Sequence, residues 1–141
     1  MTSIEQNSEQ AITAMLGMHN IAVVGLSSKE DRPSHAVAAY LQAHGYQIIP
    51  IHPNEEEVLG EKAYPNLAAV PADVQIDVVD VFRRAEDTPE IVQQAAERGA
   101  KGVWLQLEIE SDAAAQVAQT AGLLFVQNHC MKIEHHKHQV R

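Results

Sequence analysis

The chain has 141 residues, 45% of them apolar and 21% charged, a composition that fits one globular domain and excludes disordered, collagen-like or coiled-coil chains. Its formal net charge of −9 argues against nonspecific nucleic-acid binding and against anionic membrane surfaces. The polar start Met1–Gln10 does not resemble a signal peptide, no apolar run is long enough to span a membrane, and the single cysteine, Cys130, fits a reducing, cytoplasmic compartment.

Residues 8–18 place Ala11, Ile12, Met15, Leu16 and Met18 close to helical spacing, which predicts a leading amphipathic helix. Ile21–Val24 is a continuous apolar run closed by Gly25, as expected of a strand buried on both faces. A polar loop, Leu26–Pro33, leads to Ser34, read as a helix N-cap; Ala36, Val37, Tyr40 and Leu41 then share one helical face until His44-Gly45. The second strand is read at Tyr46–Ile51, closed by His52-Pro53-Asn54. Residues 55–71 hold no sustained period, and Asn66–Val70 is expected to make one helical turn. Ile76–Phe82 reads as the third strand. Thr88-Pro89-Glu90 reads as an N-cap, a proline at the first helical position and an acidic first turn, opening a helix that ends near Arg98. A fourth strand, Gly102–Leu107, precedes a helix over Asp112–Ala121 that Gly122 stops. Leu123–Val126 is the fifth strand, and the histidine-rich stretch from Cys130 is expected to be a polar, solvated tail.

Strands alternating with helices over short connections predict a single α/β domain across 1–141 with its core at about 20–128. It is a doubly wound Rossmann-type fold, a five-stranded parallel sheet with helices on both faces. In such sheets ligands sit beyond the carboxyl ends of the strands, which directs attention to the loops after Gly25, Ile51, Phe82, Leu107 and Val126. Gly25-Leu26-Ser27-Ser28 allows a tight turn and offers hydroxyls and N–H groups before a helix start, with Lys29 and Arg32 adding positive charge. That pattern suits a phosphate cradle and equally suits an ordinary strand-to-helix turn. The three-glycine dinucleotide pattern is absent, no acidic residue ends the second strand, and no Gly-Lys-Ser/Thr motif is present. NAD, FAD and an ATPase are therefore poorly supported.

The segments Gly25–Ser28, Arg32-Pro33-Ser34, His52-Pro53-Asn54, Val58-Leu59-Gly60, Val79–Arg84, Val103–Leu107 and Cys130–His135 together resemble the stand-alone CoA-binding domain proteins of bacteria. That family is similar in fold to the N-terminal domain of the succinyl-CoA synthetase α subunit. The resemblance implies a coenzyme A or acyl-CoA ligand. It implies that Gly25, Leu26, Ser27 and Ser28 hold the diphosphate, with Arg32, Pro33 and Ser34 closing over it. Pro53 and Asn54 would lie by the adenosine, Val81, Phe82 and Arg83 along the middle of the groove, and Gln106, Cys130 and Met131 toward the pantetheine. Asn128-His129 departs from the more charged pair common in the family. The chain also lacks the synthetase's phosphohistidine and nucleotide-grasp domains, so synthetase activity is not implied.

Other side chains are read as structural. Nothing near Cys130 supplies a base, and the spacing of Cys130, His135, His136 and His138 matches no closed zinc pattern, so neither a catalytic residue nor a metal is expected. Asp77 and Asp80 lie three apart on a strand and point to opposite faces, with Asp80 placed to orient Arg83 or a neighbouring loop. Arg83-Arg84 favours ligand contact over a surface ion pair, Trp104 is expected in the core, and Glu55-Glu56-Glu57 as a solvated loop. The expected role is a small CoA-binding protein without catalysis of its own, its partner a small molecule and neither nucleic acid nor membrane; a homo-oligomer is compatible. The alternatives are a nicotinamide-dependent oxidoreductase or a CoA-transferase subunit that needs a partner chain.

Overall fold

The computed structural model describes residues 4–138, so the expectations for residues 1–3 and 139–141 lie outside the described residues. The chain runs α1 (Glu9–Leu16), β1 (Asn20–Val24), α2 (Pro33–Ala43), β2 (Gln47–Ile51), then a two-stranded hairpin of β3 (Glu57–Val58) and β4 (Glu61–Lys62). It continues with β5 (Val78–Val81), α3 (Thr88–Glu97), β6 (Gly102–Leu105), α4 (Asp112–Ala121), β7 (Leu124–Val126) and α5 (Met131–His138). The five apolar runs pair in parallel in the order β2-β1-β5-β6-β7, the doubly wound α/β sheet expected. The chain winds outward from β1 to β2, then crosses back to β5 and winds the other way. That reversal, between β1 and β5, opens a crevice at the carboxyl edge.

Alternation along the strands divides the core. Ala22, Val24, Val79, Val81, Val103 and Leu105 pack with Ile91, Val92 and Ala95 of α3 and Ala114 and Ala118 of α4. Ile21, Val23, Val78 and Trp104 pack on the opposite face with α1, α2 and Met131 of α5. Each fully buried aliphatic side chain contributes roughly 1.5–3 kcal/mol from the area it removes from water. Gly102 lets α1 approach closely: a Cβ there would lie 2.5 Å from the Met15 Sδ.

Four local expectations are corrected. Ser34 does not cap α2; the cap is Arg32, two residues earlier, because Pro33 has a preset φ for the first helical position, and the buried Ser34 Oγ accepts the Ser27 N–H at 3.1 Å. Thr88 does not cap α3; a short 3-10 turn, Ala85–Asp87, leads in, and the Thr88 hydroxyl donates to the Ala85 carbonyl at 2.6 Å. The stretch after Asn54, expected to be irregular, forms the β3–β4 hairpin, and its turn is tight enough to hold Leu59 at φ 55°. The histidine-rich stretch is not a solvated tail over its described residues. It forms α5, with Met131, Glu134 and His135 buried. His135 is only 2% exposed because its Nδ1 meets the Tyr40 hydroxyl at 2.9 Å and its ring lies edge-on to Tyr40 and Tyr46. His135 and His136 point to different sides of the helix, so only one of them is buried.

Candidate functional site

A cleft of about 1090 Å³ runs along the carboxyl edge of the sheet. Parallel pairing brings the loops after all five strands to this edge, and the strand order sets their sequence along it. From the β2 side come His52, Asn54 and Glu55; next Gly25, Ser27, Lys29 and Arg32 after β1, with Pro33, Ser34 and Val37 of α2. Phe82, Arg83 and Arg84 follow β5, Gln106–Ile109 follow β6, and Cys130 precedes α5. At about 4.8 Å per strand the five loops span roughly 20 Å, room for an extended ligand.

The β1 loop is built on one glycine. Gly25 has φ +87°, and a Cβ there would fall 2.6 Å from the Phe82 carbonyl oxygen, so the β1 and β5 loops touch only because the side chain is missing. Its N–H donates to the Ile51 carbonyl at 2.8 Å, which ties the same turn to β2. The amides of Ser27, Ser28 and Lys29 are engaged within the chain: Ser27 N–H with Ser34 Oγ, Ser28 N–H with Glu55 Oε2 at 2.9 Å, and Lys29 N–H with Ser27 Oγ at 3.0 Å. Hydrogen bonds from the Ser28 side chain and amide hold the Glu55 carboxyl below the ordinary glutamate range, with smaller help from His52 and Lys29.

The floor beneath the cleft, at β5 and β6, is closed off from the surface. Asp80 is fully buried on the face covered by α1, α2 and α5, and Gln106 donates from Nε2 to its Oδ1 at 2.5 Å. The Met131 N–H at the start of α5 donates to the Gln106 Oε1 at 3.4 Å, so one amide joins the strand carboxylate to the helix. The other Asp80 oxygen, Oδ2, has no partner. Burial pushes this carboxyl up to about 7, against the smaller opposing pull of the Gln106 bond. Asp80 therefore pairs with Gln106 and not with Arg83. Both Arg83 and Arg84 lie within ion-pair distance of Asp87, at 3.3 and 3.6 Å, and both also line the cleft. Exposed pairs of this kind hold a cation loosely, leaving it free to turn to an anion.

Ten of the fifteen ligand-contact residues that the resemblance implies line the cleft, Gly25, Ser27, Arg32, Pro33, Ser34, Asn54, Phe82, Arg83, Gln106 and Cys130, as do the cations Lys29 and Arg84. Leu26, Val81 and Met131 do not; their side chains are wholly buried in the core, which leaves them backbone contacts alone. Ser28 is exposed on the loop beside Glu55, and Pro53 lines an adjoining hollow of about 870 Å³ that shares His52 and Glu55 with the cleft. Sequence reasoning missed Glu55 as a cleft residue because it sits in an acidic run. It pointed to the loop after Leu107 but named none of Leu107–Ile109 as cleft residues, because the strand was extended to Leu107, whereas pairing stops at Leu105 and a turn follows, with the Ile109 N–H donating to Gln106 O. Among the described residues no group of three or more His, Cys, Asp or Glu side chains is arranged to hold a metal, and no helix is long and apolar enough to cross a membrane.

Comparison with known proteins agrees with this architecture. The family model for the CoA binding domain matches residues 19–136. An uncharacterized protein, YneT, from Bacillus subtilis (strain 168) is 39% identical over 115 residues, spanning 82% of this chain and 84% of that protein. A hypothetical protein from Pyrococcus horikoshii OT3 superposes with a TM-score of 0.87 at 38% identity, covering 97% of this chain and 98% of that one. The ADP-forming acetate–CoA ligase II of Archaeoglobus fulgidus is 29% identical over 85 residues, but the match spans only 12% of that much longer enzyme. With most of its length matched by the family model and by a relative of similar size, the chain belongs to the CoA-binding domain family.

Proposed function

We propose that this protein binds coenzyme A or an acyl-CoA in the carboxyl-edge cleft and carries out no chemistry of its own. The observation that carries the reading is the ordering of the cleft. Lys29, Arg32, Arg83 and Arg84 stand on the adjacent β1 and β5 loops, whereas Leu107 and Ile109 after β6 and Cys130 after β7 line the other end. A ligand with a diphosphate at one end and a long, weakly polar thiol arm at the other matches that gradient. In this reading Gly25–Ser28 and Arg32–Ser34 receive the diphosphate, Pro53 and Asn54 lie by the adenosine, and Gln106 and Cys130 flank the arm. Family membership supports the same ligand. A nicotinamide cofactor is disfavoured because the β1 turn carries a single glycine in place of the three-glycine dinucleotide pattern. The likeness to part of a CoA ligase supports a second reading, a CoA-handling subunit that works with a partner chain.

Calorimetric titration with CoA, acetyl-CoA and NAD tests this. CoA binding in the micromolar range that weakens at least tenfold in a Ser28→Ala, Arg32→Ala double variant is expected, about 1.4 kcal/mol or more. Binding of NAD in place of CoA would overturn the reading.

A further inference from the structure

We infer that Glu55 is an internal competitor for the phosphate site, so that a phosphate-bearing ligand enters by displacing its carboxylate from the β1 loop. The inference rests on the reading above, in which ligand phosphates enter at Gly25–Ser34. Three successive amides of that loop, at Ser27, Ser28 and Lys29, are already engaged in the chain without ligand. Two of the acceptors are serine hydroxyls, Ser34 Oγ and Ser27 Oγ. A hydroxyl rotates and becomes a donor to an arriving phosphate oxygen, so it need not leave. The third acceptor is the Glu55 carboxylate, which when ionised accepts only and repels a second anion.

Glu55 also draws on the groups a phosphate would use: the Ser28 amide at 2.9 Å, with the Ser28 side chain, His52 and Lys29 around it. It stands at the edge between the main cleft and the adjoining hollow, bordering both. The side chain is only partly buried and so has solvent to swing into. The carboxylate thus occupies the anion position until a ligand with more charge and more acceptor oxygens takes it. The consequence is selectivity: weakly charged anions do not dislodge Glu55, whereas a diphosphate does.

The test is calorimetry on the wild type, Glu55→Gln and Glu55→Ala, with CoA, pyrophosphate and pantetheine as ligands and circular dichroism to verify folding. Both variants should bind CoA and pyrophosphate about tenfold more tightly, the size of one charge-assisted hydrogen bond no longer broken on entry. Pantetheine, which lacks the diphosphate, should gain nothing. CoA affinity that is unchanged within about twofold, or weakened, overturns the role of Glu55 while leaving CoA binding standing. A gain for pyrophosphate without CoA binding by any of the three proteins upholds Glu55 and overturns the CoA reading. No binding of either ligand overturns both.

Discussion

Two carboxylates near the carboxyl edge of the sheet, Glu55 lining the cleft and Asp80 buried beneath it, behave in opposite ways. Glu55, partly buried at the rim, receives the Ser28 N–H and is held ionised. Asp80, in the floor, receives a single amide from Gln106, keeps one oxygen without a partner, and titrates near 7. The number of donors and the access of water, not the side chain's chemistry, decide which form each one takes. At the rim an ionised group is inexpensive and exchangeable, which suits a place where ligand charge arrives. In the floor an ionised group is costly, which suits a place where geometry must be held.

The largest expected effect breaks the contact between the two regions. Gly25→Ala puts a Cβ against the Phe82 carbonyl in a left-handed backbone and should cost about 3–5 kcal/mol of stability, with CoA affinity lowered about a hundredfold. Gly45→Ala is the control. Its φ is +94° but nothing lies within 4 Å, so urea denaturation should register only about 1 kcal/mol. Equal losses in the two variants would mean that the Gly25–Phe82 approach contributes nothing.

Asp80→Asn sharpens the comparison from the buried side. The Asp80 carboxyl binds its proton more tightly in the folded than in the unfolded protein, so its contribution to stability is greatest below about pH 4. That contribution is lost as pH rises toward 7 and is level above it. Subtracting the denaturation curve of Asp80→Asn from that of the wild type should leave a difference that shifts by about 3 kcal/mol between pH 4.5 and 7.5, in favour of the variant at the higher pH. Parallel profiles would show that the floor carboxylate is not protonated in the folded state near neutrality.

Cys130→Ser should have the smallest effect. The thiol is half-buried at the β7 end of the cleft, away from the cations, and the substitution should alter stability by under about 1 kcal/mol and CoA affinity by less than about threefold. A loss above tenfold in titration would reveal a direct role for the sulfur.

Much of the fold was legible because its signals are local. Ile21–Val24 followed by Gly25, and Asp112–Ala121 followed by Gly122, each carry their type and end point within a few residues, and α4 forms with those bounds and a left-handed Gly122. The edge of the sheet that would hold the site follows from parallel winding alone. Arg98 shows where such reading stops. It looks like a charged residue at a helix end, yet its guanidinium donates to the carbonyls of Leu67, Val70, Pro71 and Val74 and ties the irregular 66–75 segment to α3.

The sequence by itself determined the five buried strands, the helices between them, the single glycine at the β1 turn and the family resemblance, because periodicity and turn chemistry act between near neighbours. Only the tertiary structure decided that the histidine-rich end folds back as α5 over Tyr40 and that Gln106 links Asp80 to that helix. It also decided that Glu55 reaches the Ser28 amide. Those pairs lie 95, 26 and 27 residues apart along the chain, and no local pattern encodes which polar group meets which. The sheet brings them together, and burial then sets how much charge each can carry.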